Sequence, residues 1–174
     1  LAINPRGDLL IAAATDGTVR VVTISGKELK LADTIKVGEK RLSGASFTHD
    51  GRAALVALRD EGGLAVLDVE GQSVTLSKER ISTGIGPYNI DISSDGKWAV
   101  VGNAGLGGLM GRASPGDADL VTLIDVSKRP FRAAQHLTVP AIPEGVALSP
   151  DGKWLAVQCM NGSNLTPADP GPGR

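Results

Sequence analysis

Six residues in this 174-residue chain carry groups suited to holding a ligand: Arg59, Asp60, Glu61, Asn103, Arg112 and Glu144. Guanidinium groups beside carboxylates and an amide can grip a small anion, a sugar or a metal ion. The plainer reading is that they are solvated loop charges. Asp117, Asp119 and Asn103 flank one loop and offer oxygen ligands of the kind calcium takes, without the regular spacing of a dedicated calcium loop. Cys159 is the only cysteine, so no internal disulfide forms; it ends the run "WLAVQC" and reads as a small core residue rather than a reactive thiol. The run "GLGGLMGR" (Gly105–Arg112) has the glycines of a phosphate loop but not its flanking strand and helix or its closing Lys-Ser/Thr. It reads as a flexible loop whose Leu106, Leu109 and Met110 could touch a partner. Neither a nucleophile elbow nor HExxH occurs. No catalytic residue, metal-ligand set or cofactor is assigned.

The elements that position these residues emerge from a repeat. Four segments match: "LAINPRGDLLIAAA" from Leu1, "GASFTHDGRAALVAL" from Gly44, "NIDISSDGKWAVVGN" from Asn89 and "GVALSPDGKWLAVQC" from Gly145. Each is an apolar run, a polar turn with a central glycine, and a second apolar run. The turn glycines Gly7, Gly51, Gly96 and Gly152 recur at intervals of 44, 45 and 56 residues. A Gly-rich stretch between Asn103 and Asp119 holds the surplus of the last interval. Asp50-Gly51, Asp95-Gly96 and Asp151-Gly152 are hairpin dipeptides, with glycine taking the positive φ. The first repeat reads Arg6-Gly7-Asp8 instead, so a turn of another type is expected there.

A third run follows in each full repeat (Thr18–Thr23, Leu64–Val69, Leu120–Val126), rich in Val, Ile and Leu as buried strands are. A fourth, more polar run comes next (Leu29–Val37, Val74–Ile81, Ala133–Val139), as suits an outer edge strand. Four strands per 40–45 residues mark the blades of a β-propeller. No apolar pattern of helical period is sustained. His49 and His136 fall in different blades and do not pair. Trp98 and Trp154 hold equivalent places after the turn and are expected to clamp adjacent blades.

Composition narrows the function. The net charge is −1 and only five residues are aromatic, so the clustered Lys/Arg and stacking rings of a nucleic-acid surface are missing. No apolar run approaches the ~20 residues of a membrane span. A disulfide-free chain suits either the periplasm or the cytoplasm.

"SSDGKWAVV" from Ser93 and "SPDGKWLAV" from Ser149 resemble the YVTN-repeat propellers of bacteria, relatives of the lactonase-like and amine-dehydrogenase-like propellers. The stretch Ile81–Asn103, with its Gly-x-x-Pro loop, follows that family's pattern, as do Leu137–Val157 and the endings "VLDV" and "LIDV". The resemblance covers the chain to about Asn164 and implies an extracytoplasmic location. The expected architecture is all-β: a propeller fragment of about three four-stranded antiparallel blades plus half of a fourth. Blade I takes 1–43, blade II 44–87, blade III 88–143 with the Gly-rich loop insertion 103–119, and two strands of blade IV 144–160. A Pro/Gly-rich loop or disordered tail takes 161–174, and its Asn161-Gly162-Ser163 sequon reads as accidental. The remaining blades are expected from the parent chain or a second copy.

Connections in such a meander alternate between two faces. One face carries the short, similar Asp-Gly, Ser25-Gly26 and Glu70-Gly71 turns. The other carries irregular loops and the mouth of the central channel, and a site is expected there. The leading expectation is a non-catalytic binding or scaffold propeller with a protein or small-molecule partner. The alternatives are a lactonase-like hydrolase, or a propeller subunit of a redox enzyme.

Overall fold

In the computed structural model, which describes residues 1–110 and 118–160, the repeats become antiparallel sheets. The first holds β1 (Ala2–Ile3), β2 (Leu9–Ala13), β3 (Thr18–Ser25) and β4 (Glu28–Lys36). The second holds β5 (Ala45–Phe47), β6 (Ala53–Ala57), β7 (Leu64–Glu70) and β8 (Ser73–Ile81). The third holds β9 (Pro87–Ile92), β10 (Trp98–Asn103), β11 (Ala118–Asp125) and β12 (Arg132–Pro140), with α1 (Gly105–Met110) between β10 and β11. β13 (Pro143–Leu148) and β14 (Leu155–Cys159) pair as a two-stranded sheet. Strands pair in chain order throughout, and the first strands β1, β5, β9 and β13 touch in succession along the axis. The architecture is a β-propeller, with three complete blades and two strands of a fourth.

Strand periodicity builds the core between blades. Successive side chains on a strand point to opposite faces. Along β6, Ala54 and Val56 pack with Leu9, Ile11, Val19 and Val21 of the first blade. Ala53, Leu55 and Ala57 pack with Ile90, Ala99, Val101 and Ile124 of the third. Both faces of the middle blade are covered, so β6 is buried along its length and shows no polar alternation. Each fully buried Leu or Val contributes roughly 1.5–3 kcal/mol. The outer strand β4 is exposed almost throughout, as its charges require.

The turn chemistry is shared by all four sheets. Thr48 Oγ1 accepts from the Ala53 N–H at 3.0 Å and donates to Asp50 Oδ1, which accepts from the Arg52 N–H. Ser93 with Asp95, and Ser149 with Asp151, repeat the arrangement. The first turn does not differ in type. Gly7 has φ +73° against +69°, +70° and +69° for Gly51, Gly96 and Gly152, and its N–H meets the Asn4 carbonyl as Gly51 meets Thr48. Asn4 replaces the hydroxyl residue: its Oδ1 accepts from the Asp8 and Leu9 N–H groups while its Nδ2 holds the Asp8 carboxylate. One amide does the work of hydroxyl and carboxylate together.

Two further expectations are corrected. The insertion 103–119 is not loop throughout: Asn103 ends β10, Gly105–Met110 is helical, and Ala118-Asp119 opens β11. The helix forms because the Gly108 N–H closes onto the Ala104 carbonyl, and the Gly86 and Ile85 carbonyls anchor the N–H groups of Ala104 and Gly105. Trp98 is 37% exposed and stands outside the buried interblade clusters at the turn end of β10, and Trp154 is 74% exposed on the last two-stranded sheet, where no following blade packs against it. The tail 161–174 and its sequon lie outside the described residues.

On the turn face, Arg129 bonds Asp68 and Glu79 of the second blade, and Glu79 also accepts from the Phe131 N–H. This ties the second and third blades together at the rim. Among the described residues, no helix is long and apolar enough to cross a membrane.

Candidate functional site

The irregular face gathers the connections after β4, β6, β8, β10 and β12. The connection after β6 is a tight turn in which the N–H groups of Glu61 and Gly62 both reach the Leu58 carbonyl, and the Leu58 N–H reaches the Gly63 carbonyl. That turn fixes the backbone of Arg59 and sends its side chain inward. Arg59 is only 8% exposed. Its guanidinium carbon lies 4.2 Å from the centre of the Tyr88 ring on β9. Nη2 donates to the Gly108 carbonyl of α1 at 3.2 Å and lies 4.0 Å from Glu144 Oε1 on β13. Nε and Nη1 are buried without a hydrogen-bond partner among the described residues. One cation thus joins elements of three blades near the axis.

The energetics are finely balanced. A desolvated cation over an aromatic ring gains about 2 kcal/mol. A carboxylate at 4 Å adds about 4 kcal/mol at an effective dielectric of ~20. Against these stand a desolvation penalty of several kcal/mol for a buried ion and a cost of about 1–3 kcal/mol for each unsatisfied donor.

The backbone around the cluster is tightly built. The Gly44 N–H donates to the Tyr88 carbonyl at 2.7 Å, and a Cβ on Gly44 would come within 2.3 Å of that oxygen, so only glycine lets the two chains approach. Ser43 Oγ donates to the Pro87 carbonyl at 2.8 Å. Ile142, just before Glu144, has φ +57°, a strained conformation for a β-branched residue. The Asp119 carboxylate accepts its N–H at 2.8 Å and the Met160 N–H meets its carbonyl, which holds the strand entry that aims Glu144.

Among the sequence candidates, Arg59 and Glu144 come together. Asp60 and Glu61 line the same cleft as Arg59 but are engaged elsewhere. Asp60 Oδ1 accepts from Arg41 Nη2 at 2.8 Å, and this bond holds the Arg41 guanidinium above its ordinary pKa. Glu61 Oε1 accepts the N–H groups of Glu39 and Lys40 at 2.7 and 2.8 Å and so caps their loop. Asn103 is buried apart, its amide donating to the Leu120 carbonyl and Thr122 Oγ1, with Oδ1 unpartnered. Thr122 in turn bonds His136 Nδ1, while His49 sits in an exposed turn on the opposite face. Arg112 and Asp117 lie outside the described residues. Asp119 serves the Ile142 backbone, and among the described residues no three His, Cys, Asp or Glu side chains are grouped to hold a metal. Cys159 is half-buried, and its thiol is pushed up by burial and then by the Asp119 charge.

Sequence reasoning missed Tyr88, Gly108 and Arg41. Tyr88 carried a usable signal as the only tyrosine, at the start of an inner strand after the Gly-x-x-Pro loop. Arg41 carried a weaker one, as a charged residue of the irregular-face loop Gly38–Leu42, and Gly108 carried none. Around the cluster, the face holds a cleft of about 560 Å³ bordered by Arg59, Arg80, Ser82 and Thr83, and one of about 460 Å³ bordered by Ser43, Tyr88, Glu144 and Gln158.

The family profile described as "WD domain, G-beta repeat" matches residues 1–22. No curated protein sequence matches the chain. A chain of the Kuenenia stuttgartiensis hydrazine synthase superposes with a TM-score of 0.72 at 28% identity, over 90% of this chain and 42% of its own length. A candidate 6-phosphogluconolactonase from Bacteroides fragilis gives 0.76 at 18% identity, over 91% and 46%. The β-propeller domain of a Myceliophteria thermophila protein gives 0.64 at 15% identity, over 92% and 48%. The chain thus spans less than half the length of each of these structures, and they share its propeller fold.

Proposed function

We propose that the chain is part of a non-catalytic binding propeller of the YVTN type, which takes a protein or small-molecule partner on its irregular face. The observation that carries this reading is Arg59: a buried guanidinium, two of whose nitrogens lack partners among the described residues, at the point where elements of three blades meet. Buried groups held short of full satisfaction concentrate at functional sites. The turn face offers a contrast, since its hydroxyl and carboxylate groups are consumed by the turns themselves. The family resemblance adds the expectation of an extracytoplasmic setting.

The test combines turnover with binding. The protein is incubated with glucono-δ-lactone and acid release is followed, while partner affinity is measured for Glu144→Gln and Arg59→Lys and for the turn-face variants Lys27→Ala and Lys153→Ala. Absence of turnover, with affinity lowered only by the first pair, supports the binding reading. Turnover that disappears in Glu144→Gln transfers the protein to the lactonase-like reading. Affinity lowered only by the turn-face pair overturns the assignment of the face. A second reading, a propeller subunit of a redox enzyme, is favoured by the 28% identity to the hydrazine synthase chain; co-purification with a redox-active subunit tests it.

A further inference from the structure

We propose, building on the binding reading above, that Arg59 is the receptor for an oxyanion, the carboxylate or phosphate group of a small molecule lodged between the second and third blades. Arg59 borders the 560 Å³ cleft there, and its Nε and Nη1 have no hydrogen-bond partner among the described residues. Guanidinium nitrogens are donors only, so they reject a metal cation, and a neutral hydroxyl would add no charge to the single carboxylate, Glu144, that stands 4.0 Å from Nη2. A carboxylate or phosphate supplies both charge and acceptors, in charge-assisted bonds about twice as strong as neutral ones.

The acids nearby do not fill this role. Asp60 is taken by Arg41 and Glu61 by two backbone N–H groups. Glu144 approaches Nη2, leaving the other two nitrogens. Arg80, Ser82 and Thr83 border the same cleft, with Arg80 Nη1 donating to the Ser77 and Glu79 carbonyls and Thr83 Oγ1 to the Gly84 carbonyl. Nε and Nη1 are shut off from bulk water; the Tyr88 ring lies against the guanidinium, and the Gly108 carbonyl of α1 accepts from Nη2. Three of the six residues of α1 are glycine, each roughly 1 kcal/mol poorer than alanine in a helix. An oxyanion that competes for the guanidinium displaces the Gly108 carbonyl within glycine-rich α1, while the Gly86 and Ile85 carbonyls keep the start of the helix anchored.

The experiment is a ¹⁵N NMR titration of the whole chain, following the Arg59 Nε–H resonance, identified by its loss in Arg59→Lys. Inorganic phosphate, acetate and glucose are added separately at ionic strength matched with NaCl. The expected result is a saturable shift with phosphate or acetate, at a Kd on the order of 1–10 mM, weakened at least tenfold in Arg59→Gln by the same chain's backbone amides near Gly108. Saturation by phosphate alone or acetate alone identifies which oxyanion the site takes. Response of irregular-face amides to glucose but to neither anion overturns the oxyanion and leaves the binding face standing. No response to any of the three overturns both. If Arg59→Gln does not fold, the wild-type titration still decides, because it reads the guanidinium directly.

Discussion

Gly96→Val probes the stacking of blades at one atom. Gly96 closes the turn between β9 and β10 at φ +70°, and a Cβ built there would stand 3.0 Å from the His49 Cβ of the neighbouring blade. Two costs combine. Forcing a β-branched residue into the left-handed region costs about 1–3 kcal/mol, and crowding a packed contact costs about 1–3 kcal/mol more. Gly7 separates them, because it has φ +73° with nothing within 4 Å of the same Cβ. Gly7→Val should therefore lose the backbone part alone, and Gly96→Val at least about 1 kcal/mol more. Urea unfolding followed by far-UV circular dichroism measures both, and thermal melts should fall by about 2–4 °C per kcal/mol for a domain of this size. His49→Gly in the Gly96→Val background should recover the crowding part. A Gly96→Val midpoint equal to wild type would refute the turn assignment; equal losses at the two glycines would refute the contact between blades.

The remaining predictions concern core, rim and pH. Leu55→Ala removes a fully buried side chain packed against the third blade and should cost about 2–5 kcal/mol in urea unfolding. Arg129→Ala breaks the rim pairs with Asp68 and Glu79, but the guanidinium is 38% exposed, so the loss should stay below about 1 kcal/mol and shrink in 1 M NaCl. The Thr18 hydroxyl, then Arg20, then the Thr18 N–H hold Asp16 down to about 2 from 3.8. Its folded value lies below its unfolded one, so its stabilisation is full above about pH 4 and is lost as pH falls through about 2. An NMR titration of its carboxyl should show that midpoint, and Asp16→Asn should flatten this part of the acid limb. Burial and the Asp119 charge push the Cys159 thiol upward, so its reaction with a disulfide reagent at pH 8 should be slower than that of a free cysteine; an equal rate would contradict its half-buried setting.

The blades were legible in the chain because the forces that make them are local. Alternating aliphatic runs, a Ser/Thr-x-Asp-Gly turn and a polar fourth run each act within about ten residues, and their recurrence is visible without knowing where the blades stand. The position of Arg59 on the irregular face could be read the same way, by counting connections. What Arg59 touches could not: Tyr88, Gly108 and Glu144 belong to elements of later repeats, and the stacking of blades brings them together. Asp60 and Glu61 look like free ligands in the chain, yet Arg41 and two backbone N–H groups claim them once the loops pack. Three glycines in α1 disguised a helix that carbonyls of a neighbouring loop hold in place. Periodicity and turn chemistry settle which residues form strands and which face a loop joins. Only packing settles which charges remain unspent, because a charge is spent by whatever the fold brings within hydrogen-bond reach.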